Sequence, residues 1–281
     1  MVLELLISPK KAERKPWELL FIGGLYASVA LLIAMWVFMS EASLVMVFLT
    51  VLACIPLLHS AIIREESKEA VDELSLLKKH RFIISYLMFL FVGFVIVMTL
   101  WFVLLPSDVA LNVFDSQINT IKSINANLAT NAISPAYLLP IIENNMKVLF
   151  FCVFFSFFYG AGAIFVLTWN ASVISAAMGM FIRNNISTYA AELGYYNLGL
   201  YFQVFSLSVL RYMTHGIFEI LAYFIGGLAG GLISMAMIKH QVEQKKFKEV
   251  MFDSFNLIFV AVLILVFAAL VEVFVTPRIV G

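Results

Sequence analysis

The sequence predicts an all-α, polytopic transmembrane helical bundle, and three observations predict it. Of 281 residues, 63% are hydrophobic and only 13% are charged, against about 45–50% and about 25% in soluble globular domains. The mean hydropathy is +0.99. Uncharged apolar runs long enough to span a bilayer recur along the whole chain. A chain with so little polar surface cannot cover a soluble fold of this size. Lysine plus arginine and aspartate plus glutamate each total 18. With zero net charge and no basic patch, no nucleic-acid partner is expected. Cys54 and Cys152 both lie inside apolar runs, so no disulfide framework is implied. The run beginning at Trp17 is too long for the apolar part of a cleavable signal peptide, and no cleavage pattern follows it.

A spanning helix needs about 20 mostly apolar residues. Trp17–Met39 supplies the first span and Leu44–Ile63 the second, joined by a short connection at Ser40–Ser43. Phe82–Leu105 is the third. These three make an N-terminal region, 1–105. The polar stretch 106–145 follows, and 146–281 forms a transmembrane core. Its first uncharged run, Val148–Ile182, would be roughly 50 Å long as one straight helix, more than the apolar core of about 30 Å. It must bend, end early or re-enter, and Gly160, Gly162 and Asn170 are the candidate break points. Leu198–Ile238 is also over-long and carries Arg211, His215 and Glu219. Phe255–Phe274 is the last span. About six spans are expected, with a broken or re-entrant segment around 198–216.

Lysine and arginine set the expected orientation. They gather before Trp17, in 64–81 and in 239–249, whereas 106–145 holds only Lys122 and the C-terminal tail only Arg278. This places the N-terminus, 64–81 and 239–249 in the cytoplasm of a multi-pass cell-membrane protein. It counts consistently only if 170–238 crosses an even number of times or re-enters. In the external stretch, Leu111, Phe114, Ile118, Ile121 and Leu128 recur at helical spacing, with Asn112, Asp115, Asn119 and Lys122 elsewhere on the wheel. That pattern predicts an amphipathic helix packed over the bundle. The charged 64–81 stretch reads as a solvated helical extension.

The most informative segment is 211–235. Arg211, His215 and Glu219 follow one another at four-residue steps, so on a helix they form one stripe. Gly227 and Gly231 continue that stripe, and Gly226 and Gly230 lie alongside it. Small residues four apart let another helix approach closely where lipid gives no hydrophobic drive. An ionised side chain at the bilayer centre costs about 2.5–3.5 kcal/mol on insertion scales, so such residues are paired, wetted or used. Three readings stand. One is a buried Arg211–Glu219 pair bridged by His215 that locks helices together. Another is a hydrated cavity that binds or relays an ion or proton. The last is a metal site, for which His215 and Glu219 supply two ligands where zinc needs at least three. A second stripe, Cys152, Ser156, Gly160, Ile164, Thr168 and Ser172, marks a helix contact face. Glu272 lies near the external end of the last span, where it can snorkel or meet an internal cation. No nucleophile–base pairing, phosphate loop or aspartate dyad is present, so no catalysis and no cofactor or metal are expected.

The chain resembles the stage II sporulation protein M family of integral membrane proteins over about 143–277. Four elements carry the resemblance in order: ENNMKVLFFCVFFSFFYGAGAIF, TWNASVISAAMG, HGIFEILAYFIGGLAGG at 215–231, and LVEVFVTP at 270–277. The family often has proline where Thr214 and Leu221 stand, and Asn-Gly where this chain has Asn170-Ala171. The resemblance implies shared positions at Asn145, Asn170, His215, Gly216, Glu219 and Glu272. It also implies a membrane scaffold, since the founding member works with peptidoglycan-degrading enzymes during engulfment in sporulating bacteria. Most of the family lies outside sporulation, including in archaea. The expectation is a non-enzymatic scaffold or assembly factor in the lipid bilayer, a homodimer with envelope or membrane partner proteins. The alternative is a channel or transporter with Arg211, His215 and Glu219 lining a cavity.

Overall fold

The computed structural model describes residues 15–66, 80–127, 137–159, 163–193, 198–239 and 244–280. Its long elements are helices: α1 (Glu18–Val37), α2 (Ala42–Glu66), α3 (Arg81–Leu104), α6 (Leu138–Tyr159), α7 (Ala163–Leu193), α8 (Leu198–Lys239) and α9 (Gln244–Phe274). Two short helices, α4 (Ser107–Val113) and α5 (Asp115–Asn127), lie between α3 and α6, and α10 (Thr276–Val280) ends the described chain. Among the described residues there is no strand. The seven long helices are all long and apolar enough to cross a membrane. The protein is a multi-pass, all-α membrane bundle.

The count corrects one expectation. Seven membrane-capable helices stand where about six spans are expected, because the run after Val148 divides into α6 and α7, and α8 is one continuous helix from Leu198 to Lys239 with no break or re-entrant turn around 198–216. The physical reason is local. No proline interrupts 198–239, and the positions where the family often carries proline are Thr214 and Leu221 here. Gly216 sits inside the helix without ending it. The over-long run after Val148 does divide, with α6 ending at Tyr159 and α7 starting at Ala163. Gly160 and Gly162 fall in the interval outside the described residues. Asn170 lies within α7 and is not a break, since its amide donates to the Val166 carbonyl one turn back, at 2.8 Å. With α7 and α8 each crossing once, 163–239 crosses twice. This is the even number that the lysine and arginine distribution requires.

Small residues set the closest crossings. A Cβ on Gly93 of α3 would run into the Leu20 carbonyl of α1, and one on Gly23 would lie 2.6 Å from the Leu90 carbonyl. The two backbones are therefore in direct contact, the close approach that small residues allow in membranes. Helix α7 sits between this N-terminal group and the group α6, α8 and α9. It touches α3 where Ser175 donates to the Val95 carbonyl at 3.1 Å. The main apolar core runs from Leu19 of α1 to Leu265 of α9, and a second, small cluster joins Ile182 and Ile186 of α7 to Leu200 and Val204 of α8. The stripe Cys152, Ser156, Ile164, Thr168 and Ser172 is buried as a contact face, divided between α6 and α7.

The segment 107–127 packs over the bundle as its pattern predicts, with one change. The helix is interrupted at Phe114, so Ala110, Val113 and Phe114 point inward while Leu111 stays 52% exposed. Phe114 meets Phe102 of α3 with ring centroids 5.0 Å apart. Gln117, fully buried, donates to the Ser43 carbonyl at 3.0 Å and to the Ser172 hydroxyl at 3.1 Å. That one amide ties α5 to α2 and α7. Leu128 and residues 67–79 of the charged stretch lie outside the described residues.

Candidate functional site

Glu219 is held where α6, α8 and α9 meet. Asn145 on α6 donates from Nδ2 to Glu219 Oε1 at 2.6 Å. Tyr223, one turn along α8, donates its hydroxyl to Asn145 Oδ1 at 3.1 Å. Asparagine suits this position because one planar group offers both a donor and an acceptor. The carboxylate fixes which end of the amide faces it, and the phenol occupies the other. Asn145 is 5% exposed and Tyr223 2%, so each would carry an unsatisfied polar group without the other.

Glu272 of α9 lines the same cavity as Glu219, Asn145 and Tyr223. Glu272 thus borders the cavity, and among the described residues no ion pair joins it to a cation.

These groups face a cavity of about 380 Å³. Its polar lining comes from Asn144, Asn145, Glu143 and Lys147 of α6, Asn170 of α7, Glu219 and Tyr223 of α8, and Glu272 of α9. Pro140, Ile141, Ile174 and Ile220 complete the wall. The mouth lies beside the first turns of α6, where Lys147 and Glu143 form an exposed ion pair at 2.7 Å. The interior beyond that pair presents carboxyls, amides and a phenol.

The other two members of the predicted stripe point elsewhere. Arg211 is exposed and lies over the Phe181 ring of α7, 5.4 Å from its centroid. No ion pair joins it to Glu219 among the described residues. The expected Arg211–His215–Glu219 core is thus corrected. Residues eight apart are two turns apart on the same helix, and Arg211 reaches the nearer aromatic face of α7. His215 makes its contact through Nδ1 with Thr276 Oγ1 at 3.2 Å. The Thr276 hydroxyl is committed to the Val271 carbonyl at 3.2 Å, so the imidazole supplies the proton of its bond. His215 fastens α8 to the start of α10 and lies outside the cavity wall.

The glycines predicted as packing residues serve contacts within the chain. A Cβ on Gly226 would collide with Leu149 and one on Gly230 with the Val153 carbonyl, both on α6. A Cβ on Gly227 would lie 2.6 Å from that of Ala163 on α7. Gly231 borders a small apolar void among α2, α3, α6, α7 and α8. The groove these glycines form is filled by the chain's own helices α6 and α7.

Sequence reasoning placed Asn145, Asn170, Glu219 and Glu272 in one polar core, and the structure brings all four to one cavity. It did not give Tyr223 a partner, and it missed Arg183, which donates to the Leu105 carbonyl, to the Val103 carbonyl at 3.2 Å and to Ser107 Oγ at 3.1 Å. Arg183 thereby caps the C-terminal end of α3, where a cation is favoured. Tyr223 had a signal, standing four residues after Glu219. Arg183 had none.

The sequence model of the family described as Stage II sporulation protein M matches residues 83–277. The match begins within α3 and takes in α4 and α5, so it reaches well upstream of the motifs at 143–277. A curated relative, an uncharacterized protein of Methanocaldococcus jannaschii, is 26% identical over 142 residues, covering 50% of this chain and 70% of the relative. No solved structure matches the chain. With the family match extending over more than half of its length, the chain belongs to the stage II sporulation protein M family.

Proposed function

We propose that the protein is a membrane transport protein, a channel or transporter that moves an ion or small polar solute by way of the Glu219–Glu272 cavity. The observation that carries this reading is a polar cavity of about 380 Å³ whose wall holds Glu219 and Glu272, while the one cation in the lining, Lys147, is paired with Glu143. Carboxyl groups inside membrane helices are costly and mark ion or solute pathways. A purely structural role would be served better by a dry, charge-balanced pair. The N-terminus is placed in the cytoplasm on the lysine and arginine distribution, and the cavity mouth then faces outward, on the side of α4 and α5. The protein is read as a non-enzyme working in the lipid bilayer.

The scaffold reading, with envelope or membrane partner proteins, draws on the family resemblance. Its homodimer component loses its main ground, since the glycine grooves are occupied within the chain. Reconstitution tests the transport reading. Liposomes holding the purified protein should show solute or ion flux that falls at least tenfold in Glu219→Gln with the fold intact. No flux of any ion across a pH or salt gradient, together with stable capture of an envelope partner, would favour the scaffold.

A further inference from the structure

We propose that the His215–Thr276 contact is a latch on the cavity. Closed, it holds the last turn of α9, with Glu272, at the cavity wall; released, it lets that turn move and opens the seam between α8 and α9. This rests on the transport reading and names its moving part. His215 stands four residues before Glu219 on α8, and Thr276 stands four residues after Glu272 at the start of α10. Positions four apart lie one turn apart on one face of a helix. The two helices run antiparallel: Lys239 ends α8 shortly before Gln244 starts α9, and His215, toward the other end of α8, meets Thr276 just past the end of α9. The contact therefore lies one turn beyond both carboxyl residues, on the seam that borders the cavity. Glu219 and Glu272 line that cavity, and His215 and Thr276 do not.

The two ends of the seam are built differently. Toward Gln244 it is dry and tight. Ala261, Leu265, Ala268 and Ala269 of α9 are fully buried against α8 and α6, and Phe218 of α8 meets Phe267 edge-on with centroids 5.1 Å apart. Beyond the cavity the tie is polar. Nδ1 of His215 donates to Thr276 Oγ1 at 3.2 Å, and the Thr276 hydroxyl donates onward to the Val271 carbonyl at 3.2 Å. Val271 adjoins Glu272, so this relay reaches the backbone that carries the carboxyl. The helix ladder also stops here. The Val275 N–H still bonds the Val271 carbonyl at 2.9 Å, but Pro277 has no N–H with which to continue. Helix α10 has five residues, too few to be stable alone. Phe274 and Val275 are exposed, so apolar packing at this end is partial. A neutral hydrogen bond is weak enough to open and close readily, whereas the apolar end of the seam stays shut. A transport cavity needs an element of this kind, with one end fixed and the other free to swing.

Thiol labelling tests the latch. Ile174 lies on the cavity wall on α7, which carries neither half of the contact, and the native Cys54 and Cys152 are buried. In purified full-length protein bearing Ile174→Cys, a water-soluble methanethiosulfonate should label position 174 about fivefold faster once Thr276→Val or His215→Phe removes the bond, the shift expected for one neutral hydrogen bond. Thr276→Ser keeps the hydroxyl and should label at the parent rate, a rescue that a general loosening of the site would not give. His215→Phe and Thr276→Val together should label no faster than either alone, because both break the same bond. The single variants break it from opposite sides, so either one that folds gives the answer. Unchanged labelling in the folded variants, Thr276→Ser labelling as fast as Thr276→Val, or multiplied effects in the double variant overturns the latch. In liposomes, His215→Cys with Thr276→Cys, bridged by a short reducible thiol cross-linker, should stop flux until the bridge is reduced. Faster labelling without flux in any form keeps the latch and removes transport. Flux that the bridge leaves unchanged keeps transport and removes the latch.

Discussion

Asn145 donates to Glu219 across 2.6 Å although 74 residues separate them in the chain. That bond, and no pairing with Arg211, is what keeps the Glu219 carboxyl inside the bundle. The two partners differ in what their loss should do. Arg211→Gln removes an exposed contact with Phe181 worth about 0.5–1 kcal/mol, and the thermal midpoint in detergent should move little. Asn145→Ala strands the Glu219 carboxyl and the Tyr223 hydroxyl together and should cost about 1–3 kcal/mol. Equal destabilisation by the two variants, measured by thermal unfolding, would contradict this assignment.

The glycine contacts with α6 and α7 make a second contrast. Gly226→Leu and Gly230→Leu push side chains into Leu149 and the Val153 carbonyl, and overpacking of this kind costs about 1–3 kcal/mol or more. Gly216→Ala meets only the tip of Met213 at 4.0 Å. It should be neutral or gain up to about 1 kcal/mol from better helix propensity. Expression level and size-exclusion profile in detergent report the difference directly.

Arg183 caps α3, and its chemistry predicts a graded series. Arg183→Met leaves the Val103 and Leu105 carbonyls without their donor and should lose about 1.5–3 kcal/mol, the range for hydrogen bonds to charged groups. Arg183→Lys keeps the charge but not the forked donors, so it should recover only part of that loss. A lysine variant as stable as wild type would show that charge alone suffices at this helix end.

If each of the seven membrane-capable helices crosses once, sidedness follows. Ser107 and Lys248 are both exposed, and three crossings (α6, α7 and α8) separate them. Single cysteines introduced at these positions should label from opposite sides of the membrane. With the native Cys54 and Cys152 buried, an impermeant thiol reagent applied to intact cells should reach Ser107→Cys. Lys248→Cys should react only after permeabilisation. Labelling of both from one side would restore an even number of crossings between α3 and α9.

Much of the bundle was legible because membrane insertion reads the chain locally. The first three spans, the last span and the division of the run after Val148 follow from apolar length, which a single segment carries by itself. The continuity of α8 was not legible. A charged residue within an apolar run reads as a break when its neighbours are unknown. Whether Arg211 must leave the helix depends on Phe181, which belongs to α7. The same holds for Leu111, whose exposure follows from the interruption at Phe114 and the docking of that ring on Phe102.

By itself, then, the sequence determined that the chain crosses a membrane, where its positive charges lie, and which polar residues are too costly to be idle: Asn145, Asn170, Glu219 and Glu272. Only the tertiary structure decided their partners. It turned Arg211 out to an aromatic ring, gave His215 to Thr276, filled the glycine grooves with α6 and α7, and set Glu219 and Glu272 on one cavity wall. The reason is physical. The cost of burying a polar group is a property of one residue and its surroundings of lipid, so sequence carries it. The group that offsets the cost comes from another helix, tens of residues away, and only packing brings the two together.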